Sequence, residues 1–224
     1  AGERQDERMQ AVAIATQLDY YYFQGTNEDS VIHYTNKVKE FAKATHQPKY
    51  YYFAWANRLI TYYLKTSRTN IALYEVQNML KEAQEEDDKT GLSRCYNIMS
   101  QIYTIKRFDS MAFEWRLKEI ELTEKYKIEN YNISQTYAQI ANYYINQKKQ
   151  KEALAAVEKA IATANSSTQQ ISAKLEFVNY YSKFGDFQAA EKLLKECQAA
   201  FEQDKRLESI KKRLYNIECL YYQQ

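Results

Sequence analysis

The chain has 224 residues and a formal net charge of +2, and it contains only 4 glycines and 1 proline. Sheet proteins draw on Gly and Pro for their turns, so this composition disfavours an all-β fold. The near balance of 31 basic and 29 acidic residues supplies no one-sided positive field, which argues against nucleic-acid binding. No apolar run approaches the roughly 18 residues of a membrane span.

Apolar residues recur at helical spacing along the whole chain, which predicts an all-α fold. In chain order, a set of first helices is predicted at 7–24, 48–66, 91–106, 131–147, 168–184 and 206–222. Second helices are predicted between them at 28–46, 70–87, 110–127, 150–164 and 187–202. Gly185 is suited to end a helix in the left-handed conformation and Asp186 to cap the next one. Ser166 and Gln169 have capping-box spacing, and Pro48 stands where a helix should start.

A tyrosine followed nine residues later by a small residue marks an internal repeat. The pairs are Tyr21 and Ser30, Tyr63 and Ala72, Tyr103 and Ala112, Tyr144 and Ala153, and Tyr181 and Ala190. Tyr222 marks a sixth copy, which lacks its second helix. We therefore expect a single repeat array over 1–224, cut from a longer protein, with repeats near 7–47, 48–88, 89–128, 129–165, 166–203 and a half repeat at 204–224.

The repeats resemble those of the tetratricopeptide family. Repeat five matches best, with Tyr181, Gly185, Asp186, Phe187, Ala190 and Leu194, and with Cys197 in place of the last family alanine. The period is longer than the family's 34 residues. The resemblance implies an all-α, right-handed superhelix of about five and a half helix-turn-helix repeats. It also implies a protein–protein or peptide-binding scaffold that is not an enzyme.

In the family, positions on the first helices line a ligand groove, and the same offsets from the packing tyrosines can be applied here. The implied groove residues are Asn57, Arg58, Thr61, Arg94, Asn97, Gln101, Gln135, Gln139, Asn142, Asn146 and Asn179. Amides dominate this set, and an amide carries both a donor and an acceptor. Such a surface is suited to hold the backbone of an extended peptide without reading its sequence. The basic set with which some family members clamp a C-terminal carboxylate is not matched.

Catalytic and metal-binding motifs are lacking. The only histidines, His33 and His46, are 13 residues apart, and no zinc, phosphate-loop or nucleophile-elbow motif occurs. The cysteines Cys95, Cys197 and Cys219 fit no metal-ligand spacing and are interpreted as small core residues. We expect no catalytic residues, no metal and no cofactor.

The long Tyr- and Asn-rich repeats also resemble the sensor arrays of bacterial signalling proteins, notably from Bacteroidetes. In those proteins the array precedes a membrane span and a histidine kinase or helix-turn-helix output domain. The resemblance favours the extracytoplasmic side of a membrane-anchored regulator, whereas three unpaired cysteines favour the cytoplasm. The alternative function is small-molecule or carbohydrate binding on tyrosine platforms. Apolar residues within 206–222 further predict self-association through the last helix.

Overall fold

The structure is a computed structural model that describes residues 2–25 and 27–223. Every regular element of these residues is helical, which confirms the all-α prediction. They form two compact units, unit 1 (Ala1–Leu122) and unit 2 (Thr123–Gln224), and each is considered by itself. None of the helices described is long and apolar enough to cross a membrane.

Unit 1 contains the helices of the first three predicted repeats. These are α1 (Gly2–Gln24), α2 (Glu28–Ala44), α3 (Pro48–Ala54), a π-helical segment (Trp55–Ile60), α4 (Thr61–Lys65), α5 (Thr69–Glu85), α6 (Lys89–Ile105) and most of α7 (Asp109–Tyr126). The helix α3, the π-helical segment and α4 run on without a break, so together they correspond to the predicted helix at 48–66. Pro48 occupies the first helical position, as predicted.

Unit 2 contains the end of α7 and the remaining helices. These are α8 (Ile133–Asn146), α9 (Gln150–Ala162), α10 (Ser167–Phe184), α11 (Phe187–Gln203), a 3₁₀ segment (Lys205–Ile210) and α12 (Lys211–Tyr222). The predicted helix at 206–222 therefore starts as 3₁₀ helix and becomes α-helix only at Lys211. Helix bounds elsewhere agree with the predicted repeats within a few residues, while the grouping of all repeats into one array stays a prediction.

One recurring turn explains the constant spacing of nine between the tyrosine and the small residue. The residue four positions after the tyrosine has a positive φ, and these residues are Gly25, Ser67, Arg107, Lys148 and Gly185. In repeats two to five the next residue donates its N–H to the tyrosine carbonyl, over 2.8–3.0 Å. This bond closes the first helix, as in a Schellman motif. The small residue then falls in the first turn of the second helix, and Ala72, Ala112, Ala153 and Ala190 are all buried.

Each unit has its own apolar core. In unit 1, Trp55 and Ile60 from the π-helical segment pack with Leu18, Val31 and Ile102. In unit 2, a cluster from α10, α11 and the last helix includes Leu175, Leu194, Cys197, Leu207 and Ile217.

The structure corrects the interpretation of one cysteine and shows that some positions at groove offsets are buried. Cys95 and Cys197 are buried core residues, as expected, but Cys219 is exposed and is not a core residue. Ile98, Ala138 and Leu175 lie at the same offsets from their packing tyrosines as predicted groove residues, but all three are buried.

Candidate functional site

The first helices of unit 1 carry a polar row that begins with Asp19 on α1 and Arg58 in the π-helical segment. Arg58 donates its Nε–H to the Asp19 carboxylate and an Nη1–H to the Asn57 carbonyl oxygen at 3.2 Å. The guanidinium also lies 5.1 Å from the Tyr22 ring, 5.6 Å from Phe23 and 5.8 Å from Phe53. Cation–π contacts at these distances hold the cation in place. Arg58 is therefore a fixed, partly exposed cation on this face.

The row continues from the π-helical segment to α6. Arg94 donates from Nη2 to the Asn57 side-chain oxygen at 3.2 Å. Burial lowers the pKa of Arg94, while the nearby Glu119 carboxylate opposes that shift. A π-helical segment inserts a residue into the helical ladder, and such insertions are frequent at functional sites. Here the segment carries both Asn57 and Arg58, and the Thr61 hydroxyl donates to the carbonyl oxygen of Ala56 at 3.0 Å.

Glu119 on α7 is a buried carboxylate, 1% exposed, beneath the predicted groove residues of α6. The Asn97 amide donates to both of its oxygens at 3.1 Å. Gln101 in turn donates to the Asn97 side-chain oxygen at 2.7 Å and remains exposed. Arg116 is also buried, and burial lowers its pKa against the attraction of Glu119. The groove amide Asn97 is thus held by the protein itself, and Gln101 presents the outer amide of the pair.

An apolar cavity of about 110 Å³ opens beside Arg58, between α1, α2 and α3. Its walls include Ile14, Leu18, Val38, Phe41, Phe53 and Ala54, and Asp19 and Arg58 stand at its polar edge. Arg58 was predicted as a groove residue, but Asp19 and Ala15 were not. The signal was present, because the groove offsets from Tyr63 that give Asn57 and Thr61 give Ala15 and Asp19 when they are counted from Tyr21.

In unit 2 the corresponding centre is Glu176 on α10, a buried carboxylate that is 3% exposed. Arg213 of α12 forms an ion pair with one carboxylate oxygen. The Asn142 and Asn179 amides donate to the other oxygen at 3.4 Å and 3.5 Å. Asn179 is itself only 7% exposed. Glu176 thus links α8, α10 and α12 within this unit.

The predicted groove residues therefore separate into inner and outer groups. Within unit 1 the structure brings together Asn57, Arg58, Arg94, Asn97 and Gln101, with Thr61 bonded to its own helix. Within unit 2 it brings Asn142, Asn146 and Asn179 together around Glu176, with Asn146 donating to the Asn142 side-chain oxygen at 3.0 Å. Gln135 is exposed and Gln139 is half-buried on the same helix. The exposed amides of the predicted groove set are Gln101, Gln135 and Asn146.

A second cleft, of about 320 Å³, lies among α2, α3, α5 and the start of α6 and contains none of the predicted groove residues. Lys39 pairs with Glu82 at 2.7 Å and lies 5.0 Å from the Tyr51 ring. Tyr52 donates to Asp88, which also caps α6. Because these groups bond to one another, they are less able to bind a ligand than the exposed amides of the first helices are.

Of the three cysteines, Cys219 is exposed, whereas Cys95 and Cys197 are buried. Burial raises the pKa of the Cys95 thiol to about 12 and that of the Cys197 thiol to about 11, so both are protonated and covered at neutral pH. Within the part of the chain that the structure describes, no three His, Cys, Asp or Glu side chains are grouped to hold a metal ion.

Comparisons with known proteins agree with the fold and extend no further. No protein-family model matches the sequence, and no curated protein matches it either. Among solved structures, BtubC (BKLC) from P. vanneervenii is similar with a TM-score of 0.67 and 15% identity, over 94% of this chain and 86% of that one. Two structures of a putative kinesin light chain from Podosopora anserina, with nearly identical TPR-like repeats, give TM-scores of 0.60 and 0.57 at 13% identity. They match 89% and 86% of this chain and 97% and 94% of their own.

Proposed function

We propose that this chain, whose fold is that of tetratricopeptide-like repeat proteins, is a peptide- or protein-binding scaffold without catalytic activity. One observation carries the proposal, and it recurs within each unit: a buried carboxylate fixes inner amides of the first helices. Asn97 and Asn142 each donate to such a carboxylate, which leaves Gln101 and Asn146 as the outer layer. A preorganised polar surface of this kind binds an extended backbone at a low entropic cost.

The expected affinity follows from the number of groups that can bind. Each amide–backbone hydrogen bond contributes roughly 1 kcal/mol net. A micromolar dissociation constant corresponds to about −8 kcal/mol. Amides alone therefore give weak binding, and a micromolar ligand must also bury apolar side chains on the same face.

Peptide selection tests the proposal. A display library of random linear peptides is panned on the full chain, and the affinity of enriched peptides is measured by fluorescence anisotropy. The outer amides Gln101, Gln135 and Asn146 are replaced together by Ala. The inner residues Asn97 and Asn142 are left in place, because their loss would strand buried carboxylates.

The matched control replaces exposed amides on second helices, Gln84 on α5 and Gln188 on α11, by Ala. We expect the groove variant to bind selected peptides about tenfold more weakly and the control to bind like the unchanged protein. Equal weakening in both variants, or no enriched peptide at all, would contradict peptide binding on the first-helix face.

The finer form of the proposal is a sensor or regulatory module of a bacterial signal-transduction protein, on the extracytoplasmic side of a membrane-anchored regulator. The length of the repeats and their richness in Tyr and Asn support it. The coding sequence downstream of Gln224 is the direct test. A membrane span followed by a histidine kinase or helix-turn-helix domain is expected, and a stop codon or a plain continuation of the repeats would count against it.

Small-molecule or carbohydrate binding on tyrosine platforms is the alternative. Exposed rings support it, including Tyr20, Tyr50 and Tyr131. A sugar panel in a thermal-shift assay separates the two functions. Stabilisation by sugars with no stabilisation by selected peptides would favour the alternative and would contradict the scaffold.

Self-association through 206–222 is a further part of the proposal. Tyr215 and Tyr222 are 52% and 73% exposed and share one face of α12, and Leu220 is 44% exposed on another face. Replacement of Leu220 and Tyr222 by Ser should lower the sedimentation-equilibrium mass towards that of one chain. A monomer of 26.6 kDa before replacement would contradict this part.

A further inference from the structure

The cavity between α1, α2 and α3 and the cation at its edge together describe a binding subsite. The cavity volume is about 110 Å³ and its walls are apolar. An apolar cavity of about 150 Å³ is known to bind a molecule as large as benzene. The space beside Arg58 therefore matches a branched aliphatic side chain rather than a sugar or a nucleotide.

Arg58 has hydrogen-bonding capacity left over at the mouth of this cavity. A guanidinium carries five N–H donors. Among the described residues, Arg58 donates one to Asp19 and one to the Asn57 carbonyl oxygen. Its side chain is 19% exposed, so donors remain for a group that approaches from the cavity mouth.

Among the residues that line the cavity, Arg58 is the one cation, and its unused donors can bind an anion. Lys65 lies 4.6 Å from the Tyr22 ring and donates to the Tyr22 hydroxyl at 2.6 Å, and Arg58 contacts the same ring. Lys65 and Tyr22 do not line the cavity, so the charges at its edge are those of Arg58 and Asp19, which balance. A carboxylate can bind a guanidinium through two parallel hydrogen bonds.

We infer that this cavity binds one aliphatic side chain of a peptide ligand while Arg58 binds a carboxylate of the same ligand. The inference rests on the proposed peptide-binding function and specifies the ligand: an aliphatic residue directly beside an acidic group. The π-helical segment creates the subsite, because it carries Arg58 and follows directly on the cavity-lining Phe53 and Ala54.

Small probes test the subsite without a known partner. The full chain, labelled with ¹⁵N, is titrated with N-acetyl-leucine, N-acetyl-leucinamide and N-acetyl-glycine, and amide chemical shifts are recorded. We expect N-acetyl-leucine to bind with a dissociation constant on the order of 1 mM, as its few heavy atoms allow. Shifts should centre on Ala15, Leu18 and Ala54. The neutral amide should bind about fivefold more weakly, and N-acetyl-glycine should not bind measurably.

Variants on one helix give the control. Ala15 lines the cavity and is exposed, so Ala15→Leu should fill the mouth and weaken N-acetyl-leucine binding at least about tenfold. Ala13 is exposed on the same helix and does not line the cavity, so Ala13→Leu should change binding less than about twofold. Arg58→Gln should abolish the preference for acid over amide, and Asp19→Asn should strengthen binding of the acid.

The inference is overturned if Ala15→Leu binds N-acetyl-leucine as the unchanged protein does, or if acid and amide bind equally to the unchanged protein. Selected peptides that depend on Gln101, Gln135 and Asn146 but ignore Ala15→Leu would overturn the subsite alone. Occupation of the cavity by N-acetyl-leucine, with no enriched peptide, would support the subsite and overturn the broader peptide-binding function.

Discussion

The two units fix their groove amides with a buried carboxylate in different ways. In unit 1 the carboxylate is Glu119 on a second helix, and Asn97 donates to both of its oxygens at 3.1 Å. In unit 2 it is Glu176 on a first helix, and Arg213 pairs with it while the amides donate at 3.4–3.5 Å. Unit 1 thus uses the acid mainly to hold an amide, whereas unit 2 uses it mainly to attach α12. The same residue type holds an amide in one unit and packs a helix in the other.

Loss of the Glu119 carboxylate in unit 1 should lower the free energy of unfolding more than any substitution described below. Glu119→Gln removes the buried carboxylate to which Asn97 donates and whose charge favours the buried Arg116 cation, and a buried polar group left without its partner costs up to about 3 kcal/mol. Urea denaturation followed by circular dichroism measures the free energy of unfolding. Glu121→Gln, an exposed carboxylate on the same helix, is the control and should cost less than about 0.5 kcal/mol. Equal losses in the two variants would refute the role given to Glu119.

The pair in unit 2 should be less costly to break, because Arg213 keeps 26% of its side chain in solvent. We expect Glu176→Gln to lower the free energy of unfolding by about 1–2 kcal/mol. A double-mutant cycle with Arg213→Met should give a coupling energy of about 1 kcal/mol. Arg213→Met alone leaves the buried Glu176 carboxylate without its cation, so it should cost about as much as Glu176→Gln, although it also removes the buried Nε that has no hydrogen-bond partner among the described residues. A coupling energy near zero would mean that Arg213 does not attach α12 through Glu176.

Each unit also buries one thiol, and this predicts how stability changes with pH. The pKa values of Cys95 and Cys197 are raised by burial from 9.0 to about 12 and about 11. The folded state therefore keeps protons that the unfolded state loses, so their contribution is complete below pH 9 and is lost as the pH rises towards 11–12. The free energy of unfolding measured with urea should be lower at pH 10 than at pH 8, by about 1 kcal/mol per thiol.

Thiol labelling provides the check on this prediction. At pH 8, iodoacetamide should modify only the exposed Cys219 in the native protein and all three cysteines in urea. Rapid labelling of Cys95 or Cys197 in the native state would contradict the burial argument.

The helix stops allow a smaller comparison within unit 2. Gly185 and Lys148 occupy the same turn position with φ of 89° and 56°. A side chain at positive φ is strained, so Gly185→Ala should destabilise by about 1 kcal/mol and Lys148→Gly should stabilise by up to about 1 kcal/mol. Ala155→Gly in the middle of α9 is the control, where the same Gly should destabilise by about 1 kcal/mol. If Lys148→Gly destabilises as Ala155→Gly does, backbone strain at the turn is not the controlling term.

The sequence predicted the helices well because their signals are local. Tyrosine spacing, helix caps and apolar periodicity each act within a few residues, and Gly185, Asp186 and Ser166 cap helices as expected. The helix stops at Ser67, Arg107 and Lys148 were not predicted, since no glycine marks them. Only the shared hydrogen bond to the tyrosine carbonyl shows that these residues occupy the same turn position as Gly185.

The candidate site was less predictable because its contacts join residues distant in sequence. Offsets from the tyrosine identified Asn97 and Asn142 but could not show that Glu119 and Glu176 hold them. The burial of Asn179 depends on side chains packed around α10, and the π-helical segment at Arg58 has no local signal. The cavity beside Arg58 requires three helices to meet, which no periodicity within one helix can reveal.

The most direct test of the central claim is chemical-shift mapping of a selected peptide on the ¹⁵N-labelled chain. Peptide binding on the first-helix faces predicts the largest shifts at Arg58, Gln101, Gln135 and Asn146 and small shifts on α5 and α11. Shifts concentrated at Gln84 and Gln188 on those second helices, with the first helices unaffected, would contradict it.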